Sequence, residues 1–248
     1  FKNYIGKKII FVEVGVLGGG SLFMWKDYFG KDARIIGIDL NPEAKKWEKH
    51  GFEIFIGSQS DEKFWTNFYN KVGKIDILLD DGGHYNKQQI ITLNSSIPNI
   101  TDGGMIVVED CHTSYMSEFG NPSKFSFMNF SKYIIDKINH RYPELDTNKK
   151  KTEENKIFSV SFYESIVVFN INSKKCFTPE IMNSTGNPYI TVDYSRTEFF
   201  PIIQKFIDTK LPILKKIPII KKIVRILFYR RNIIWRIKEF FIIKKFFK

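Results

Sequence analysis

IIFVEVGVLGGGS, residues 9–21, is the stretch whose reading decides the fold. It opens on five apolar, β-rich residues between Ile9 and Val14, interrupted only by Glu13. The run is far too short to span a bilayer, which takes about 20 apolar residues in a helix. Bounded by glycine, it reads as a buried parallel strand. Gly15, Gly18, Gly19 and Gly20 then turn the chain, and residues 21–29 read as a helix. A strand, a glycine turn and a helix N-terminus let backbone approach a nucleotide closely. The spacing is Glu13-x-Gly15-x-x-x-Gly19-x-Ser21, not the dinucleotide G-x-G-x-x-G. A structural reading stays open here, because any tight strand-to-helix turn favours glycine.

Outward from that stretch, strands alternate with helices. Residues 33–39 form a second predicted strand ending in Asp39, an acid placed to accept hydrogen bonds from ribose hydroxyls. Its competing role is to cap the helix that begins at Asn41-Pro42. A helix over 42–50 and a strand over 52–57 follow, and Ser58 and Gln59 then face the adenine end of a ligand lying along the strand ends. A short helix over 64–71 leads to a fourth strand, 74–79, which runs into Asp80-Asp81-Gly82-Gly83-His84. Paired carboxylates and a histidine there sit where open α/β sheets bind ligands. After a helix over 88–97 and an exit turn at 101–104, a fifth strand, 105–108, delivers Glu109-Asp110-Cys111-His112-Thr113-Ser114-Tyr115. Consecutive parallel strands usually lie side by side, so Asp81, Glu109 and Asp110 can converge. Three oxygen ligands with waters to complete the shell suit Mg²⁺ and not zinc. A helix over 123–141, a polar surface loop over 142–156 and an antiparallel hairpin of 157–162 with 166–171 complete the sheet.

The 248 residues carry a net charge of +11. From Lys210 onward there are 13 Lys or Arg and one acid, so the tail carries +12 and residues 1–209 sum to −1. A neutral body disfavours a nucleic-acid groove across it. The two cysteines, Cys111 and Cys176, lie far apart without zinc spacing, so a reducing cytoplasm is the expected compartment. No cleavable signal is visible, and with Phe1 in place of methionine a natural N-terminus further upstream is expected.

Taken together, Glu13-x-Gly15-x-x-x-Gly19-Gly20-Ser21 with Trp25, Asp80-Asp81-Gly82-Gly83-His84, Glu109-Asp110-x-His112-Thr113-Ser114-Tyr115 and Phe162-Tyr163-Glu164-Ser165-Ile166-Val167-Val168 resemble the metal-dependent sugar O-methyltransferases of macrolide biosynthesis. Cephalosporin hydroxylase-like proteins share that fold. The resemblance covers roughly residues 8–172. It implies a Rossmann-like, mostly parallel α/β sheet, S-adenosylmethionine (SAM) as methyl donor and Mg²⁺ as metal. By motif it implies Asp81, Glu109 and Asp110 as metal ligands and His84 as general base, with Asp81 also counted among the catalytic groups. The implied cofactor residues are Glu13, Gly15, Gly19, Ser21, Asp39, Ser58, Gln59 and Asp80. His112 either contacts substrate or braces the second acidic pair, and Tyr115 joins it on the substrate side. Gly83 departs from the small hydroxyl residues common there.

The expected division is a methyltransferase domain over 1–200 and a basic helical tail over 201–248. Pro212 and Pro218 break the first part of the tail, so its helix is predicted to start near Ile219. Lys221, Lys222, Arg225, Arg236 and Glu239 fall on one side, and Ile219, Ile223, Leu227, Ile234 and Phe241 opposite. Basic residues beside Phe, Ile and Trp235 suit an anionic membrane surface, here the cytoplasmic face of the inner membrane. Packing of the tail on its own domain, or on a second copy in a homo-oligomer, is the alternative. RNA binding is disfavoured, because the aromatics form no stacking platform. The expected substrate is a sugar, either nucleotide-linked or at the end of a capsule or lipopolysaccharide chain. A catechol or small-phenol methyltransferase and a noncatalytic membrane-attached scaffold are the competing classes.

Overall fold

A computed structural model describes residues 1–119, 124–141, 153–176, 237 and 240–247. The chain divides into two compact units, Phe1–Glu180 and Ile181–Lys248.

In the first unit, β1 (Ile10–Val14), β2 (Arg34–Asp39), β3 (Glu53–Ile56), β4 (Ile75–Asp80) and β5 (Ile100–Val108) pair in parallel. β6 (Ile157–Tyr163) and β7 (Ile166–Ile171) form an antiparallel hairpin whose second strand pairs with β5. The order is β3-β2-β1-β4-β5-β7-β6, a seven-stranded, mostly parallel Rossmann-like sheet with the expected C-terminal hairpin. The connecting helices are α1 (Gly20–Phe29), α2 (Glu62–Val72), α3 (Asn86–Ser96) and α4 (Phe127–Asn139).

The apolar strands are buried on both faces, as parallel sheets require. On β1, Phe11 packs with Leu22 and Phe29 of α1, and with Ile35, Ile54, Ile77 and Val107. Val12 and Val14 face the other way, with Trp65 and Phe68 of α2, Leu93 of α3, and Phe127 and Ile134 of α4. Strand order reverses between β1 and β4, and a crevice opens at the C-terminal ends of such a pair. Gly15 follows β1 and Asp81 follows β4, so the chain order alone puts the glycine turn beside the first acidic pair.

Three elements differ from expectation. Residues 42–50 wind as a 3-10 helix with only Ala44 buried, started by Asn41 accepting from Glu43 N. Residues 101–104, expected as an exit turn, belong to β5, and the register shifts between Ile75 and Ile77. Asp76 holds that irregularity: one oxygen accepts from Ile10 N at 2.8 Å, the other from the Thr101 hydroxyl at 2.7 Å. Expected over 123–141, α4 starts at Phe127, where the Ser126 side chain caps it. The surface loop is only partly described: residues 142–152 lie outside the described set, and Glu153–Lys156 form a 3-10 turn.

The domain boundary at residue 200 and most of the tail helix lie outside the described residues. Within the tail, residues 240–243 are helical and Lys244–Phe246 continue as a 3-10 turn. Phe240, Phe241, Ile242, Ile243, Phe246 and Phe247 are all exposed there. No helix among the described residues is long and apolar enough to cross a membrane.

Candidate active site

The glycine turn shapes a cavity of about 630 Å³ at the C-terminal edge of β1, β2 and β4. That lies within the size range, about 300–1,000 Å³, of small-molecule and cofactor sites. Gly15 has φ +93, and a Cβ there would strike the Asp81 carbonyl. Gly19 has φ +74 and lies against the Trp47 ring, so a side chain has no room there either. Gly19 is also the N-cap of α1, which therefore opens on the cavity with its first N–H groups unpaired by side chains. Ser21 lines the cavity; Glu13 does not. Glu13 is buried beneath it, accepting from Ser21 Oγ at 2.7 Å and from Trp25 Nε1 at 3.0 Å. Burial pushes its carboxyl up to about 7, against those two hydrogen bonds and aided by the nearby Asp81 and Glu109 charges.

Asp39 lines the cavity at the end of β2. Its Oδ2 accepts from Val16 N and Leu17 N at 2.9 and 3.0 Å, and Oδ1 from Asn41 N at 2.8 Å. It thus ties the glycine turn to the start of the next segment, whose N-cap is Asn41, so the competing capping role falls to Asn41 and not to Asp39. Ser58 and Gln59 line the same wall. Gln59 Oε1 accepts from Gly83 N at 2.8 Å, and Nε2 donates to Asp80 Oδ1 at 2.9 Å. Asp80 departs from the expected cofactor contact. It is fully buried behind Gln59 and forms no part of the cavity wall. Its Oδ2 has no partner among the described residues, and burial raises its pKa.

Beside the cavity, ligand atoms of Asp81, His84 and Asp110 lie within 4.8 Å of one another. His84, whose backbone takes φ +60, stands in this grouping where Glu109 was expected. His84 Nε2 is 3.5 Å from Asp110 Oδ2. His84 Nδ1 is buried without a partner among the described residues. Glu109 remains electrostatically part of the group. Burial first, then the Asp81 and Asp110 charges, raise its pKa, and burial and Asp110 raise that of Asp81 against the opposing pull of His84. Carboxylates held together at such a cost fit a cation: positive charge among them would relieve the repulsion that raises both. The donor set, mostly oxygen, fits Mg²⁺ better than a thiolate-seeking metal.

His112 and Tyr115 lie on the 3-10 segment Cys111–Tyr115. His112 Nδ1 is 2.6 Å from Ser165 Oγ and 3.9 Å from Asp110 Oδ1, a geometry that favours the bracing role. Tyr115 is 60% exposed. Sequence reasoning missed Gln89, whose buried amide donates to the Glu109 carbonyl, and the role of Thr113, whose hydroxyl reaches the His84 and Asp110 carbonyls. Nothing marks Gln89 in the sequence; Thr113 was visible within the acidic motif.

No family model matches the chain. Among curated proteins it is similar to the 8-demethyl-8-alpha-L-rhamnosyl tetracenomycin-C 2'-O-methyltransferase of Streptomyces olivaceus, at 27% identity over 67% of this chain and 46% of the relative. It is similar too to the mycinamicin VI 2''-O-methyltransferase of Micromonospora griseorubida, at 30% identity over 60% of this chain and 40% of the relative. The solved MycE methyltransferase of the mycinamycin pathway, in complex with Mg and SAH, superposes with a TM-score of 0.64 at 26% identity over 69% of this chain and 46% of that one.

Its homologues are sugar O-methyltransferases.

The chain spans less than half the length of these sugar O-methyltransferases. The expected resemblance and the expected fold are both borne out, the latter by the match to MycE.

Proposed function

We propose that this chain is the catalytic region of a SAM-dependent O-methyltransferase acting on a sugar hydroxyl with Mg²⁺. The single observation that carries the reading is the convergence of Asp81, His84 and Asp110 beside the glycine-lined cavity, at one edge of a sheet shared with MycE. MycE was solved with Mg and SAH, and with mycinamycin VI. When bound, SAM supplies the methyl group, and Mg²⁺ supplies positive charge that favours ionisation of a sugar hydroxyl, whose pKa lies far above 7.

The chain's own residues do the rest. Gly15, Gly19 and Ser21 would give the cofactor a close backbone cradle, which Asp39 holds through Val16 and Leu17, while Gln59 holds the facing loop at Gly83. Asp81, Glu109 and Asp110 would hold the metal through oxygen, the donor Mg²⁺ prefers. That leaves the His84 imidazole to take the acceptor's proton, the role suited to a histidine near neutral pH.

The acceptor we assign is a nucleotide-linked sugar or the sugar end of a surface glycan, such as capsule or lipopolysaccharide. Residues 1–200 would form the catalytic domain and 201–248 a tail that attaches it to the cytoplasmic face of the inner membrane. Supporting this are the +12 charge from Lys210 onward and the exposed apolar side chains at 240–247. The test is SAM turnover against a panel of nucleotide sugars, glycosides and catechols. Turnover confined to sugars is expected; turnover confined to catechols would transfer the reading to small phenols, and none with any acceptor would favour a scaffold.

A further inference from the structure

The turn joining β6 to β7 reaches across to the segment that follows Asp110. Its last residue, Ser165, takes φ +63. The Ser165 carbonyl accepts from Cys111 N at 2.9 Å, and its hydroxyl lies 2.6 Å from His112 Nδ1. That nitrogen is 3.9 Å from Asp110 Oδ1, while Asp110 Oδ2 is 3.5 Å from His84 Nε2. Each oxygen of Asp110 therefore faces a different imidazole. Asp110 itself is left-handed, at φ +51, so the backbone there needs external support.

A glycine would suit the left-handed turn at 165 better than a serine does. The turn alone thus does not call for a hydroxyl; the contact with His112 does. We propose that Ser165 is a positioning residue for the metal site. Its hydroxyl fixes the His112 ring beside Asp110 Oδ1, so that the carboxylate presents Oδ2 to Asp81 and His84. The inference rests on the metal-site reading above and extends it to a residue on a different part of the sheet.

The experiment is calorimetric titration of Mg²⁺ into the whole chain and its variants, with melting temperature measured alongside. Ser165→Gly suits the turn's left-handed backbone and removes the hydroxymethyl side chain. It should weaken Mg²⁺ binding roughly tenfold, the lower end of the range for groups that orient metal ligands, with Tm unchanged or raised. His112→Ala leaves the turn untouched and should show a similar loss. Ser165→Gly added to His112→Ala should change affinity by less than about twofold, since the link it breaks is already gone. Unchanged Mg²⁺ affinity in Ser165→Gly or in His112→Ala overturns the proposal, as does a full further loss in the double variant. Absence of Mg²⁺ binding by the wild-type chain overturns the metal-site reading itself, and the inference with it.

Discussion

Gln59, in the cavity wall, and Asp80, behind it, form a buried pair, with Gln59 Nε2 donating to Asp80 Oδ1 at 2.9 Å while the other end of the same amide accepts from Gly83 N. The pair joins the loop after β3 to the loop after β4, so one side chain sets the distance between two walls of the site.

Replacing Gln59 with leucine keeps the volume and removes all three of its side-chain bonds, the third a donation from Nε2 to Thr92 Oγ1 at 3.2 Å. Asp80 would lose its amide donor while keeping the Gly82 N–H, and Gly83 N would lose its acceptor. Each buried polar group left unsatisfied costs about 1–3 kcal/mol, so Gln59→Leu should lose about 2–4 kcal/mol in urea unfolding. A loss under about 0.5 kcal/mol would show that the pair does not organise the loops.

Glu13 predicts a pH dependence of stability. Its folded carboxyl stands near 7 against an ordinary value of 4.5, chiefly through burial. A raised folded pKa means that the folded state keeps a proton the unfolded chain has released. The stability from this group is therefore full below about pH 4.5, falls as pH rises through 7, and is flat above, for a total of about 3 kcal/mol. Glu13→Gln keeps an acceptor for Trp25 and offers a donor to Ser21. It should unfold later than wild type at pH 8 and nearly alike at pH 4.5. Parallel stability curves for the two proteins would contradict this.

Asp39→Ala should weaken SAM binding by about 1.5–3 kcal/mol, the worth of hydrogen bonds to a charged group. It should also loosen the turn at Val16 and Leu17, which donate to that carboxylate. Calorimetry with SAM checks both: unchanged affinity removes Asp39 from the cofactor site.

The tail prediction is read by flotation. The whole chain should float with vesicles containing anionic lipid and lose this at high salt, because about 1 kcal/mol per basic residue comes from screened attraction. A chain ending at Thr209 should stay behind. Equal flotation of both, or of neither, contradicts membrane attachment; loss of self-association on truncation, without flotation, places the tail on a second copy instead.

Much of this architecture was legible in the residues. The run at 9–14 and its glycines located β1 and the cavity because a strand buried on both faces leaves a continuous apolar signature. The ends of β4 and β5 were legible for the same reason, and their acids followed from parallel neighbours. What escaped was decided by backbone and long-range contact. His84 and Asp110, both members of the cluster, sit at positive φ, which no residue pattern announces. The burial of Asp80 depends on Gln59, a partner 21 positions away. The strand character of 101–104 depends on Asp76 holding a bulge that a Thr-Asp-Gly-Gly turn signature conceals.

The central claim, metal-assisted methyl transfer to a sugar, is tested most directly by one assay of the whole chain: methyl transfer from SAM to a sugar acceptor, before and after EDTA, and again after Mg²⁺ is added back, with His84→Ala run in parallel. Turnover should vanish with the metal and return with Mg²⁺, and His84→Ala should lower it by roughly 10²–10⁴-fold, as for a lost general base, while still binding SAM. Turnover that persists in excess EDTA with metal removal confirmed, or full activity in His84→Ala, would contradict the account.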